Sequence, residues 1–125
     1  MQRYKVLLVE NQKIAQKIAL FYLSEFGCQV DTAETGIDAL ELVKEKTYDL
    51  IFMDLGLDDI DGLTVTETIR KSEDEAHRVP IVALTAHDAE DIRSSCFEAG
   101  VDDFISKPFL PEKSRPVLEK YLRRN

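Results

Sequence analysis

Cysteine is scarce in this chain of 125 residues: there are two, Cys28 and Cys96, with neither metal-ligand spacing nor a paired framework. A disulfide-stapled scaffold and a thiolate zinc site are thereby excluded, and both thiols are expected to be reduced and half-buried. No apolar run approaches the length that crosses a bilayer, and the N-terminus lacks the charged-then-apolar layout of a signal peptide. Basic residues are outnumbered, 16 Lys and Arg against 24 Asp and Glu, for a net charge of −8. That balance argues against nonspecific binding to nucleic acid phosphates and against a basic membrane-facing surface. Repeats, low-complexity tracts and linkers are missing too. A single cytoplasmic domain over residues 1–125 is expected, long enough to bury a core without metals or disulfides.

What is present alternates. Short β-branched runs at 5–10, 29–33, 49–54, 80–84 and 102–106 are separated by longer amphipathic stretches, which predicts βα units and a five-stranded parallel sheet with helices on both faces. In the first helix Ile14, Ile18 and Tyr22 form a stripe with Ala15, Ala19 and Phe26 beside it. Ile37, Leu40 and Val43 mark the second helix, Val65 and Ile69 the third, and Val117, Leu118, Tyr121 and Leu122 the fifth. The fourth, 88–99, is the weakest, with Ile92, Cys96 and Phe97 as its only sizeable apolar residues. Gly27 and Gly100 end helices, Gly62 opens one, and Asp88 can cap the fourth. Pro80 begins a strand and Pro111 fits the first turn of the last helix. The charged stretch 71–78 reads as a solvated loop.

Asp54 closes the apolar run Leu50-Ile51-Phe52-Met53. A carboxylate at the end of a buried strand sits where open parallel α/β sheets place their reactive groups. Glu10-Asn11, Thr85 and Lys107 stand at three other strand ends, and acids, a hydroxyl and an amine meeting at one edge suit phosphoryl chemistry. Taken alone, each has a plainer reading as a cap, a turn former or a solvated side chain. Asp58, Asp59 and Asp61 read as a solvated acidic loop, with metal binding there the lesser alternative, and His77 and His87 as surface residues.

Val9-Glu10, Met53-Asp54-Leu55, Gly62, Ala83-Leu84-Thr85-Ala86 and Lys107-Pro108 stand in the order and spacing of two-component response-regulator receiver domains. The resemblance covers essentially the whole chain, and Gly36, Ile60-Asp61-Gly62 and Pro80–Ala86 make it most similar to the receivers of hybrid sensor histidine kinases. It implies a flavodoxin-like fold, strand order 2-1-3-4-5 with five helices. It implies that Asp54 accepts a phosphoryl group from a histidine kinase or histidine phosphotransfer domain, in a phosphorelay. Mg²⁺ would be held by Glu10, Asn11, Asp54 and the backbone carbonyl of Gly56. Lys107 and Thr85 would meet the phosphoryl oxygens, Thr85 and Phe104 would form the switch, and the Lys107–Pro108 peptide would be cis. Such a domain catalyses only its own phosphorylation and dephosphorylation. The face of the fourth helix, fifth strand and fifth helix would change with phosphorylation and could support a weak homodimer.

Two positions depart from that pattern. Asn11 stands where a second acid is usual, which removes one negative charge from the metal pocket and should weaken Mg²⁺ binding. Asp58 stands where a proline usually stiffens the loop after the acceptor, so residues 55–61 should be more mobile. A pseudo-receiver that binds partners without phosphorylation is therefore a competing reading, favoured by Asn11 and opposed by the retention of Asp54, Thr85 and Lys107. An aspartyl phosphatase needs a second acid two residues after its nucleophile, and Gly56 cannot be that acid. The chain is either a single-domain regulator or a piece of a larger kinase.

Overall fold

The computed structural model describes residues 3–86 and 92–122, with Glu75 described by its backbone alone. Strands and helices alternate: β1 Tyr4–Val9, α1 Lys13–Glu25, β2 Cys28–Ala33, α2 Gly36–Glu45, β3 Leu50–Asp54, α3 Gly62–Ser72, β4 Ile81–Thr85, α4 Arg93–Ala99, β5 Asp103–Ser106 and α5 Pro111–Leu122. The strands pair in parallel in the order β2-β1-β3-β4-β5, the doubly wound, flavodoxin-like arrangement. A short 3-10 turn, Glu75–His77, occupies part of the stretch expected to be irregular throughout. The fourth helix begins at Arg93 among the described residues; the expected cap at Asp88, and His87, lie outside them.

Strand alternation divides the core in two. Val6, Leu8, Leu50, Phe52, Val82, Leu84 and Ile105 face one way and meet Ala19 and Leu23 of α1 and Val117, Leu118 and Leu122 of α5. Leu7, Val9, Ile51, Met53 and Ile81 face the other way, against Ala39 of α2 and Val65 and Ile69 of α3. On that second side Ala83 meets Cys96 of α4. Both faces of the sheet are covered, as an all-parallel sheet requires.

Two helices match the expected stripe only in part: Ala19 and Tyr22 of α1, Phe26 just past its end, and Leu40 and Val43 of α2 meet the core, while other expected members face outward. α1 buries Gln16, Ala19 and Leu23, while Ile14 and Ile18 stand 76% and 39% exposed. The reason is polar: the Gln16 amide donates to the Glu10 carbonyl at 3.2 Å, satisfying a strand-end group that an isoleucine would leave orphaned. In α2, Gly36 and Ala39 are buried and Ile37 is exposed. The helix start approaches α3 so closely that a Cβ on Gly36 would lie 2.8 Å from Val65 Cγ2.

The thiols are more deeply buried than the sequence suggests, Cys28 among the α1–α5 core residues and Cys96 on the inner face of α4, and both are free. Burial, followed by the charge of Asp49, pushes the Cys28 thiol up to about 11. Burial, followed by Asp61, raises Cys96 as well.

Gly62 is fixed by close approach. A Cβ there would lie 2.4 Å from the Asp54 carbonyl oxygen and 2.9 Å from Leu55 Cα, and backbone cannot turn aside as a side chain can. Gly62→Ala should destabilise the fold by about 1–3 kcal/mol through overpacking. Thr64→Ala, on the exposed side of the same helix, should stay within about 0.5 kcal/mol. Urea unfolding of the two variants beside the parent checks both expectations.

Candidate functional site

Register assembles the site. Val9 pairs with Met53, so the residues that follow, Glu10 and Asp54, emerge side by side at the carboxyl edge. Asp54 pairs with Leu84 and Thr85 with Ser106, which brings Thr85 and Lys107 to the same edge. The Leu55 amide donates to the Leu84 carbonyl at 3.1 Å and the Lys107 amide to the Thr85 carbonyl at 2.7 Å, extending the ladder into the loops. The Lys107–Pro108 peptide is cis.

Glu10, Asp54 and Thr85 are all buried, and the Lys107 ammonium lies between the acids, 3.2 Å from Glu10 Oε1 and 3.2 Å from Asp54 Oδ1. Glu10 Oε2 accepts from the Gln12 amide at 3.1 Å, a free N–H at the start of α1. Asp54 Oδ1 also accepts from the Gly56 amide at 2.9 Å. Asp54 Oδ2 is buried and has no hydrogen-bond partner among the described residues. Three of the four carboxylate oxygens are thus engaged, and the fourth is available.

Asn11 joins this edge without contributing charge. Its Nδ2 lies 3.4 Å from the Gly56 carbonyl oxygen and 3.3 Å from Asp58 Oδ2. The loop 55–61 carries more structure than a solvated acidic loop. Asp59 accepts from the Gly36 and Ile37 amides at 2.9 and 3.1 Å, capping α2, and those bonds, the Gly36 one foremost, hold its carboxyl below the usual range. Asp61 accepts from the Leu63 amide at 3.0 Å and caps α3. The Asp61 cap had a local signal, an aspartate directly before a helix; the Asp59 cap, 23 residues from its partner, had none.

Phe104 is half-buried beside this edge. The Arg93 guanidinium stands 4.5 Å from its ring centroid and the Phe97 ring 6.0 Å away, so its present position rests on α4. His77 is a surface residue as expected, although it contacts Asp74 at 2.8 Å.

No described helix is long and apolar enough to cross a membrane. The fold and this edge define a receiver domain. The response regulator receiver domain family matches residues 6–119, and the chain belongs to it. Hybrid signal transduction histidine kinase L of Dictyostelium discoideum is 38% identical over 122 residues, which cover 94% of this chain but only 7% of that kinase. The receiver domain of sensor histidine kinase PA1611 from Pseudomonas aeruginosa, solved with a magnesium ion coordinated in its active site cleft, is 30% identical with a TM-score of 0.86, covering 98% of this chain and 100% of that one. The receiver domain of Saccharomyces cerevisiae Ssk1, co-crystallised with the histidine phosphotransfer protein Ypd1, has a TM-score of 0.86 at 26% identity, over 95% of this chain and 88% of that one.

Burial raises the Glu10 carboxyl above the usual range; the Gln12 amide opposes this, the Asp54 charge adds to it, and Lys107 opposes it. A carboxyl that binds its proton more tightly folded than unfolded subtracts stability once ionised. The loss sets in as pH rises from the ordinary carboxylate value through the raised folded value. Glu10→Gln should therefore raise the melting temperature in EDTA near neutral pH. The gain should fade as pH falls through the ordinary carboxylate range and be gone well below it, where both states are protonated. Circular-dichroism melts in EDTA across that range are the check, and a gain independent of pH would assign the effect to packing.

Proposed function

We propose that this chain is a phospho-accepting receiver that takes a phosphoryl group from a phosphohistidine donor onto Asp54, as one step of a phosphorelay. The observation that carries this reading is Asp54 itself: a buried carboxylate, held through Oδ1 by Lys107 and the Gly56 amide, with Oδ2 left without a partner among the described residues. An Asp54 oxygen would attack phosphorus, the O–P bond forming as the P–N bond breaks and its electron pair leaving on the imidazole nitrogen. Lys107 would neutralise one phosphoryl oxygen and the Thr85 hydroxyl would donate to another. The unpartnered oxygen beside a second acid suits a divalent cation, and Glu10, Asp54 and the Gly56 carbonyl, with Asn11 at the rim, would hold Mg²⁺. When bound, it supplies charge neutralisation to the phosphoryl oxygens. Asn11 lowers that affinity relative to a site with two acids on β1. The chain turns over no substrate beyond its own acyl phosphate.

Asn11 also gives the pseudo-receiver reading its one support, since its amide engages Gly56 and Asp58 in place of a charge. Acetyl phosphate with Mg²⁺ separates the two. Intact mass should show one added phosphoryl group, absent in EDTA and absent in Asp54→Ala, while Lys107→Ala should react about 100-fold more slowly or worse. An unmodified parent chain under those conditions leaves the interaction module as the function.

Exposure on α1 supports a docking role. Ile14, Ile18 and Phe21 stand 76%, 39% and 61% exposed at helical spacing, directly beyond the acceptor edge. A helical, histidine-bearing partner would lie against them, with α4, β5 and α5 carrying the response through Thr85 and Phe104. Chemical-shift mapping with a histidine phosphotransfer protein should move α1 resonances most, and Ile14→Asp should weaken binding by roughly tenfold or more, as loss of an apolar anchor does. Shifts confined to α5 would contradict this.

A further inference from the structure

The two residues that depart from the receiver pattern touch each other. Asn11 Nδ2 lies 3.3 Å from Asp58 Oδ2 and 3.4 Å from the Gly56 carbonyl oxygen. Both neighbours offer only lone pairs, so the amide nitrogen has to face them. An acid at position 11 would set a carboxylate against Asp58, and a proline at position 58 would take away one of the amide's two acceptors. Each departure is accommodated by the other.

The loop geometry keeps Asp58 at this edge. Asp59, the next residue, is bound to the first amides of α2, and Asp61 caps α3, so the segment is anchored immediately after Asp58. Four residues earlier in the chain, Asp54 is 2% exposed and its Oδ2 has no partner among the described residues. That orphaned oxygen marks a place built to receive a cation or a donor.

We propose that Asp58 is the second acid of the cation pocket, relocated from the end of β1 to the β3–α3 loop and steered there by Asn11. The proposal rests on the reading of this chain as a Mg²⁺-dependent phospho-acceptor, and it names a residue that the receiver pattern does not use. Among the described residues no three His, Cys, Asp or Glu side chains are arranged to hold a metal ion directly. Asp58 would therefore contribute its charge from outside the direct ligands, which suits Mg²⁺ because it dehydrates reluctantly. With Glu10, Asp54 and Asp58 the pocket has three carboxylates, as a receiver with two acids on β1 would have.

The test is a calorimetric Mg²⁺ titration of the unphosphorylated chain, comparing the parent with Asp58→Asn, Asn11→Asp and the double variant. Asp58→Asn keeps the size and an acceptor oxygen and removes only the charge. It should weaken Mg²⁺ binding about tenfold, the effect typical of an outer-shell partner, and the double variant should recover most of that loss. Metal-free melting should be nearly unchanged in Asp58→Asn, whereas a merely structural role would lower it and leave affinity alone. In the parent, Mn²⁺ should broaden the Asp58 amide resonance along with those of Asp54 and Gly56. If Asp58→Asn binds Mg²⁺ as tightly as the parent while Asn11→Asp binds more tightly, the receiver reading stands and the role of Asp58 is overturned. If neither the parent nor Asn11→Asp binds Mg²⁺, the receiver chemistry itself fails and this proposal with it.

Discussion

Glu10 and Asp54 are buried side by side with one ammonium group between them, and much of the architecture follows from keeping that arrangement tolerable. Ionised carboxylates withdrawn from water are costly unless each oxygen finds a donor or a cation. Lys107 serves both acids, the Gln12 amide takes one oxygen and the Gly56 amide assists another. These donors come from the ends of β1, β3 and β5, so the site exists only when three strands hold their register. Two acids against one ammonium group leave an excess of negative charge at this edge.

Parallel topology makes such a convergence possible. Every strand ends at the same edge, and each loop there is free of the demands of the core because both faces of the sheet are already covered by helices. The acidic loop after β3 uses that freedom. Its aspartates are divided among tasks: Asp58 meets Asn11, Asp59 starts α2, and Asp61 starts α3. Where a proline would stiffen this segment through its own ring, these bonds tie it to β1, α2 and α3.

The strands were legible in the sequence to within a residue or so, the central three because they read as apolar runs, the edge strands β2 and β5 from short β-branched or aromatic stretches between turn residues. The convergence of Glu10, Asp54, Thr85 and Lys107 was legible because each stands at the end of a strand. The inward faces of α1 and α2 were legible only in part. Both helices carry large apolar residues on two stripes, and Gln16, Ala19, Gly36 and Ala39 share the buried faces with larger residues such as Leu23, Leu40 and Val43. Periodicity ranks stripes by size and apolarity, whereas close packing and a strand-end carbonyl select for small volume and an amide. The partners of Asp58 and Asp59 were equally hidden, since they lie 47 and 23 residues away and leave no local trace.

The two free thiols lie in different cores, Cys28 in the layer shared by α1 and α5 and Cys96 on the inner face of α4. Thiolate is the reactive species, and burial both shields these groups and holds them protonated. An alkylating reagent reaches each one faster as its side of the sheet opens. The chain thus carries two native clocks, one on each face of the sheet, whose labelling rates separate loosening of the α4 side from opening of the α1–α5 side without any introduced probe.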